Sequence, residues 1–164
     1  MMIPITNLSL VNYNARYKNE WRKISFAHAD IQKAIDNKEW EQRPFQSSLS
    51  ELQVEWDLAG DLEASIELQK QYHVKRIATI IKEKLWQHPL LLYKDRKSIL
   101  DGGHRLWAMN VLKRDKVEVI IINKSVLSES EKEILWKTIR QFEGDARRAL
   151  EHLRIEIIAG YANR

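Results

Sequence analysis

The stretch Ile99-Leu100-Asp101-Gly102-Gly103-His104-Arg105-Leu106-Trp107-Ala108 decides how the rest of the chain is read. Two apolar residues lead into Asp101, two glycines follow, and Leu106, Met109, Val111 and Leu112 then suggest a helix. A strand therefore runs into a turn at Gly102-Gly103, and a helix starts just after it. Such a junction presents unpaired backbone N–H groups and the positive end of a helix dipole, so an anion fits there. Lacking Cβ atoms, Gly102 and Gly103 let the backbone take unusual φ values and approach a phosphate closely. His104 and Arg105 can add side-chain donors, and Asp101 at the strand end can hold a metal, a ribose hydroxyl or a proton. The same turn can also be purely structural.

Working outward, Leu90-Leu91-Leu92-Tyr93, Lys94-Asp95-Arg96-Lys97 and Ser98-Ile99-Leu100 read as apolar run, polar turn and apolar run, which is a hairpin. Residues 117–122 form a compact β-branched strand. Residues 73–86 place Val74, Ile77, Ala78, Ile81 and Leu85 on one side of a helix, with Lys75, Arg76, Lys82, Glu83 and Lys84 on the other, and Pro89 ends it. Ser128 with Glu131 is a capping box ahead of Ile134, Leu135, Ile139 and Phe142. Gly144 interrupts, and a last helix is expected over about 145–159.

Toward the N-terminus, Ile3-Pro4-Ile5 and Leu8-Ser9-Leu10-Val11 are extended pieces, and Asn12-Tyr13-Asn14 looks like a turn. Asp30 is read as the N-cap of a helix ending near Arg43-Pro44. A second helical piece starts near Ser48 or Ser50, aligns Leu49, Leu52 and Trp56, and stops at Gly60. Residues 20–72 are therefore expected to be mostly helical.

The fold class expected is α+β: a small mixed sheet flanked by helices, with a helical insertion over about 20–72 and a helical extension over about 125–164. At 164 residues, 44% hydrophobic and 30% charged, the chain is read as one soluble domain spanning 1–164. No apolar run approaches the roughly 20 residues a bilayer needs, and the first residues lack the basic and apolar regions of a signal peptide, so a cytoplasmic protein is expected. The absence of cysteine excludes disulfides, thiolate metal sites and cysteine nucleophiles. A net charge of +4 permits polyanionic partners without requiring them.

The segment from His73 to Ile122 resembles the ParB/sulfiredoxin superfamily, through His88-Pro89-Leu90-Leu91-Leu92, through Ile99 to Ala108, and through Val117-Glu118-Val119-Ile120-Ile121. Ile3-Pro4-Ile5 and Asn14-Ala15-Arg16 resemble that family's opening strand and Asn-Pro-x-Arg box, with Ala15 where proline is usual. Gly103 stands where sulfiredoxins carry the catalytic cysteine, so sulfinate reduction is not inherited. The glutamate of the Gly-Glu-Arg-Arg loop of ParB partition proteins is also missing, and the 42 residues after Ile122 are too few for their two further domains. The nearest pattern is the Asp-Gly-x-His-Arg loop of stand-alone ParB-like proteins and ParB-like free serine kinases. The resemblance implies nucleotide phosphate contact by Gly102, Gly103, His104 and Arg105, with a metal or hydroxyl contact by Asp101.

The function expected is therefore nucleotide-dependent phosphate chemistry, either NTP hydrolysis or DNA cleavage in a process linked to DNA or mobile elements. ATP or another NTP and Mg²⁺ are the expected cofactors. Asp101, His104 and Arg105 are the candidate catalytic residues, and Asp101 is the candidate metal ligand. One alternative is a small-molecule kinase whose general base is open among Glu20, Glu63 and Glu118. Another is a non-enzymatic, plasmid- or phage-encoded inhibitor that blocks a protein partner with its extra helices. Arg76, Lys82 and Lys84 are the candidate DNA-tracking strip, against a solvated helix face as the plainer reading; Arg76 also sits in a His-x-x-Arg-Ile segment similar to other Asp-Gly-x-His-Arg proteins. His28, His73, His88 and His152 lack metal-ligand spacing. Trp56, Trp86, Trp107 and Trp136 fall on apolar helical faces, while Trp21 and Trp40 are open to either reading.

Overall fold

The computed structural model describes residues 1–43 and 49–160. In chain order its elements are strands β1 (Met2–Pro4), β2 (Asn14–Tyr17) and β3 (Glu20–Lys23), helices α1 (His28–Asp36), α2 (Leu49–Asp57) and α3 (Leu62–Glu83), strands β4 (Leu90–Leu92) and β5 (Ile99–Asp101), helix α4 (Gly103–Val111), strand β6 (Lys116–Ile122), helices α5 (Glu129–Gln141) and α6 (Ala146–His152), and strand β7 (Ile157–Ala159). The class is mixed α+β with a small mixed sheet, as expected. The chain divides into two compact units, Met1–Leu10 together with the chain from Trp86, and Val11–Leu85.

The first unit is built on β6, whose run Val117 to Ile122 is buried or nearly so along its length. β4 pairs with it in parallel, Leu91 opposite Ile120, and β5 folds back antiparallel on β4. β1 and β7 both pair antiparallel with β6, β1 along its first half and β7 at its end. Because side chains alternate across a strand, the sheet feeds two cores. Leu90, Leu92, Val119 and Ile121 pack with Leu106 and Met109 of α4, and Leu91, Leu100, Ile120 and Ile122 pack with Leu135, Ile139, Ala149 and Leu150 of α5 and α6. Burying each such side chain is worth about 1.5–3 kcal/mol, which fixes the sheet edge that leads into α4.

The capping box forms as read: Ser128 Oγ accepts from Glu131 N at 3.2 Å, and Glu131 Oε1 accepts from Ser128 N at 3.0 Å. Gly144 takes φ +89 at the break after α5. The tail departs from the expectation. α6 stops at His152, Arg154 adopts φ +57, and residues 157–159 form β7 rather than the end of a helix. The open edge of β6 offers a hydrogen-bonding partner, which overrides the helical spacing of the tail's apolar residues.

In the second unit α3 is the spine, begun by Asp61, whose Oδ1 accepts from Ala64 N at 2.8 Å. Asp30 is not the N-cap of α1: that position is Ala27, and the Asp30 carboxylate reaches back to accept from Ala27 N at 2.8 Å. α2 ends at Asp57, short of Gly60. The expected boundaries at Pro44 and Ser48 lie outside the described residues.

The expectation of a mostly helical stretch from residue 20 fails at its start, because residues 14–23 form a two-stranded ribbon of β2 and β3 with Tyr17 opposite Glu20. Ala15 is the buried residue of that ribbon. Its backbone is held by a side chain: Gln69 Oε1 accepts from Arg16 N at 3.0 Å while Gln69 Nε2 donates to Arg16 O at 2.7 Å. The carboxamide thus pairs with β2 as a neighbouring strand would, satisfying both polar groups of one residue.

Candidate functional site

β5 ends at Asp101, opposite Leu91, and the chain turns into α4 through Gly102. Gly102 is the N-cap of α4 at φ +102, ψ 21, and no side chain caps the helix. The first amide of the turn to bond within it is Leu106 N, donating to Gly102 O at 3.0 Å. The N–H groups of Gly103, His104 and Arg105 precede that ladder, at the positive end of the helix. The requirement for glycine is also internal. A Cβ at Gly102 would stand 2.5 Å from Leu90 Cδ2 in the core, in a backbone conformation that side chains disfavour.

Asp101 and Arg105 are brought together, with each other as partners. Arg105 Nη2 donates to Asp101 Oδ2 at 2.5 Å, and Nη1 donates to Pro89 O at 2.9 Å, so the guanidinium ties the end of β5 to the chain entering β4. Their side chains are only 15% and 24% exposed. Asp101 Oδ2 is held by the Arg105 guanidinium, so a divalent ion at Asp101 would have to take that cation's place. His104 is half-buried in the first turn of α4.

The proposed strip on α3 is not one surface. Arg76 is 8% exposed, its guanidinium 5.5 Å from the Tyr72 ring. Lys82 and Lys84 are exposed, with the Lys82 ammonium 4.6 Å over Trp40 and Lys84 in the left-handed conformation that ends the helix. Arg76 shares its surroundings with buried Glu41. Burial alone would push the Glu41 carboxyl up, but the hydrogen bonds of Arg43 and the charges of Arg43 and Arg76 hold it below its ordinary value. Arg76 therefore belongs to a charge cluster fastening the chain after α1, where a helical wheel shows only an alternation of sign. Of the candidate bases, Glu20 lies exposed on β3, 3.9 Å from Arg22, Glu63 lies exposed in the first turn of α3, and Glu118 is half-buried on β6.

A concavity that the sequence reading did not indicate lies within the second unit, with a volume of about 350 Å³. Tyr13, Trp21, Trp56 and His73 form its aromatic part, and Asn14, Arg16, Gln53 and Gln69 complete the lining. Tyr13 and His73 stack with ring centroids 4.0 Å apart. Burial, aided by Arg76, lowers the His73 pKa to about 4, so the imidazole is neutral at pH 7. Trp21 is 62% exposed on β3, and the Arg16 guanidinium lies 5.9 Å from its ring. The one trace of this cleft in the sequence is Trp21, on neither an apolar face nor a recognisable motif.

No family model matches the chain, and no curated protein or solved structure matches it.

Proposed function

We propose that this chain is a ParB-like protein that binds the phosphate of a nucleotide at residues 102–105. The observation that carries the reading is the start of α4 behind Gly102, a glycine N-cap with no side-chain cap, at the positive end of a helix where an anion is favoured. The half-buried His104 supplies a further donor. Arg105 contributes its charge while remaining tied to Asp101 and Pro89.

NTP hydrolysis or DNA cleavage assisted by Mg²⁺ at Asp101 requires that carboxylate to exchange Arg105 for the ion. The ion pair between them favours binding over turnover. The same observation supports a second reading, an interaction protein that retains nucleotide affinity without chemistry.

Calorimetric titration of ATP, CTP and GTP, with and without Mg²⁺, tests the proposal when combined with phosphate release. At least one nucleotide should bind, and His104→Ala should weaken it about tenfold or more. A protein that binds none of the three, or binds equally well without His104, has its ligand elsewhere. Phosphate release that depends on Asp101 would restore the hydrolase reading.

A further inference from the structure

The ribbon of β2 and β3 carries four basic side chains, Arg16, Lys18, Arg22 and Lys23, against one acidic, Glu20. Glu20 is paired with Arg22. The register places Arg16 opposite Trp21 and Asn14 opposite Lys23, so these four side chains share one face of the ribbon. Arg16, Trp21 and Asn14 line the cleft of about 350 Å³, a volume at the lower end of small-molecule sites, roughly 300–1,000 Å³.

Several groups there are uncommitted. Among the described residues, the Arg16 guanidinium makes no hydrogen bond, lying 5.9 Å from the Trp21 ring and within reach of the Asp57 charge, and Lys23 forms no ion pair. The Asn14 carboxamide and Gln53 Oε1 likewise accept or donate nothing among the described residues, although Gln53 Nε2 is spent on Arg16 O and Asp57. The cleft thus offers an exposed indole face, an aromatic wall that is uncharged at neutral pH, amide groups able to meet the polar edge of a flat ring, and beside them two cations that form no ion pair among the described residues. A flat aromatic ring with polar edges, joined to phosphates, satisfies all of these at once.

We propose that this cleft seats one unstacked base of a single-stranded nucleic acid on Trp21, with the neighbouring phosphates on Arg16 and Lys23. A base within a duplex keeps its faces covered by its neighbours, whereas a single strand gives up a base to an aromatic side chain and lays its backbone along adjoining cations. The site is separate in sequence from residues 102–105 and does not rest on that reading.

Fluorescence anisotropy of a fluorescein-labelled oligothymidylate tests it. The wild type should bind at about 50 mM salt, where even sequence-independent binders hold on. Trp21→Ala should weaken binding about tenfold, since stacking on one aromatic side chain is worth roughly 1–3 kcal/mol per base, and removal of so exposed a ring leaves the fold in place. Arg16→Gln with Lys23→Gln should lower the log-log salt slope by about 1.4, or about 0.7 for each phosphate contact on a single strand. Absent binding, or a Trp21→Ala protein of unchanged affinity, would overturn the proposal. Thymidine monophosphate binding as tightly as the oligomer would overturn it too, because the phosphate contacts along a strand would then contribute nothing.

Discussion

Arg105 Nη2 stands 2.5 Å from Asp101 Oδ2 across the turn that joins β5 to α4, so the two charged residues of the loop answer each other before either meets a ligand. Asp101→Asn should therefore do two things. It should lower stability by about 1.5–3 kcal/mol through loss of a charge-assisted hydrogen bond, and it should raise affinity for inorganic phosphate by freeing the cation. Melting and phosphate titration of the same variant check both. A metal-holding Asp101 predicts the reverse for a nucleotide with Mg²⁺, with weaker binding in Asp101→Asn.

Arg105→Ala removes the ion pair and the hydrogen bond to Pro89 O together. The fold should melt earlier than that of His104→Ala, and nucleotide affinity should fall in both. Equal melting temperatures would mean that the Arg105 contacts contribute nothing to holding β5 against β4.

Gly102→Ala should destabilise by about 1–3 kcal/mol from backbone strain at φ +102 alone. Crowding of the fully buried Leu90 adds to it, because a Cβ there reaches Leu90 Cδ2 before it reaches any ligand. Gly102→Val should be worse, and binding loss in either variant carries meaning only beside a thermal melt. A variant that melts like the wild type would show that the helix start does not need glycine.

Gln69→Ala should cost about 2–3 kcal/mol, since it leaves Arg16 N and Arg16 O without the carboxamide that pairs with both. The buried Gln69 also donates to Ser65 Oγ, and no other side chain of its size offers both a donor and an acceptor in one plane. Chemical denaturation measures the loss, and an unchanged midpoint would contradict the pairing.

Burial holds His73 neutral with a pKa near 4, while the unfolded residue titrates near 6.5. Above pH 6.5 both states carry a neutral imidazole and this residue adds no pH dependence. As pH falls toward 4 only the unfolded state takes the proton, so stability drops by up to about 1.4 kcal/mol per pH unit in that window. His73→Phe should flatten that part of the stability profile. A slope identical to the wild type would place His73 in contact with solvent.

The loop was legible because its signals are local. The apolar residues before Asp101, the glycine pair and the helical spacing from Leu106 each report on a few adjacent residues, and β5, α4 and β6 fall where they indicate. The ribbon was not, because β3 is exposed throughout and its turn holds φ +54 on Lys18 rather than on a glycine, so neither alternation nor a turn motif marks it. β7 escaped for another reason. Ile157 follows Leu150 and Leu153 at helical intervals, and only the edge of β6, distant in sequence, makes this segment a strand. The partnering of Asp101 with Arg105 was hidden in the same way. Residue types show what each side chain can bind, but not that a strand end and a helix start set the two face to face.

The most direct test of the loop assignment follows the backbone amides of Gly103, His104 and Arg105 by ¹⁵N-correlated NMR while phosphate, then ATP, CTP and GTP, are added. The account predicts saturable shifts centred on these three amides, at lower concentration for a nucleotide than for phosphate. Shifts that leave these amides still while others saturate would contradict it.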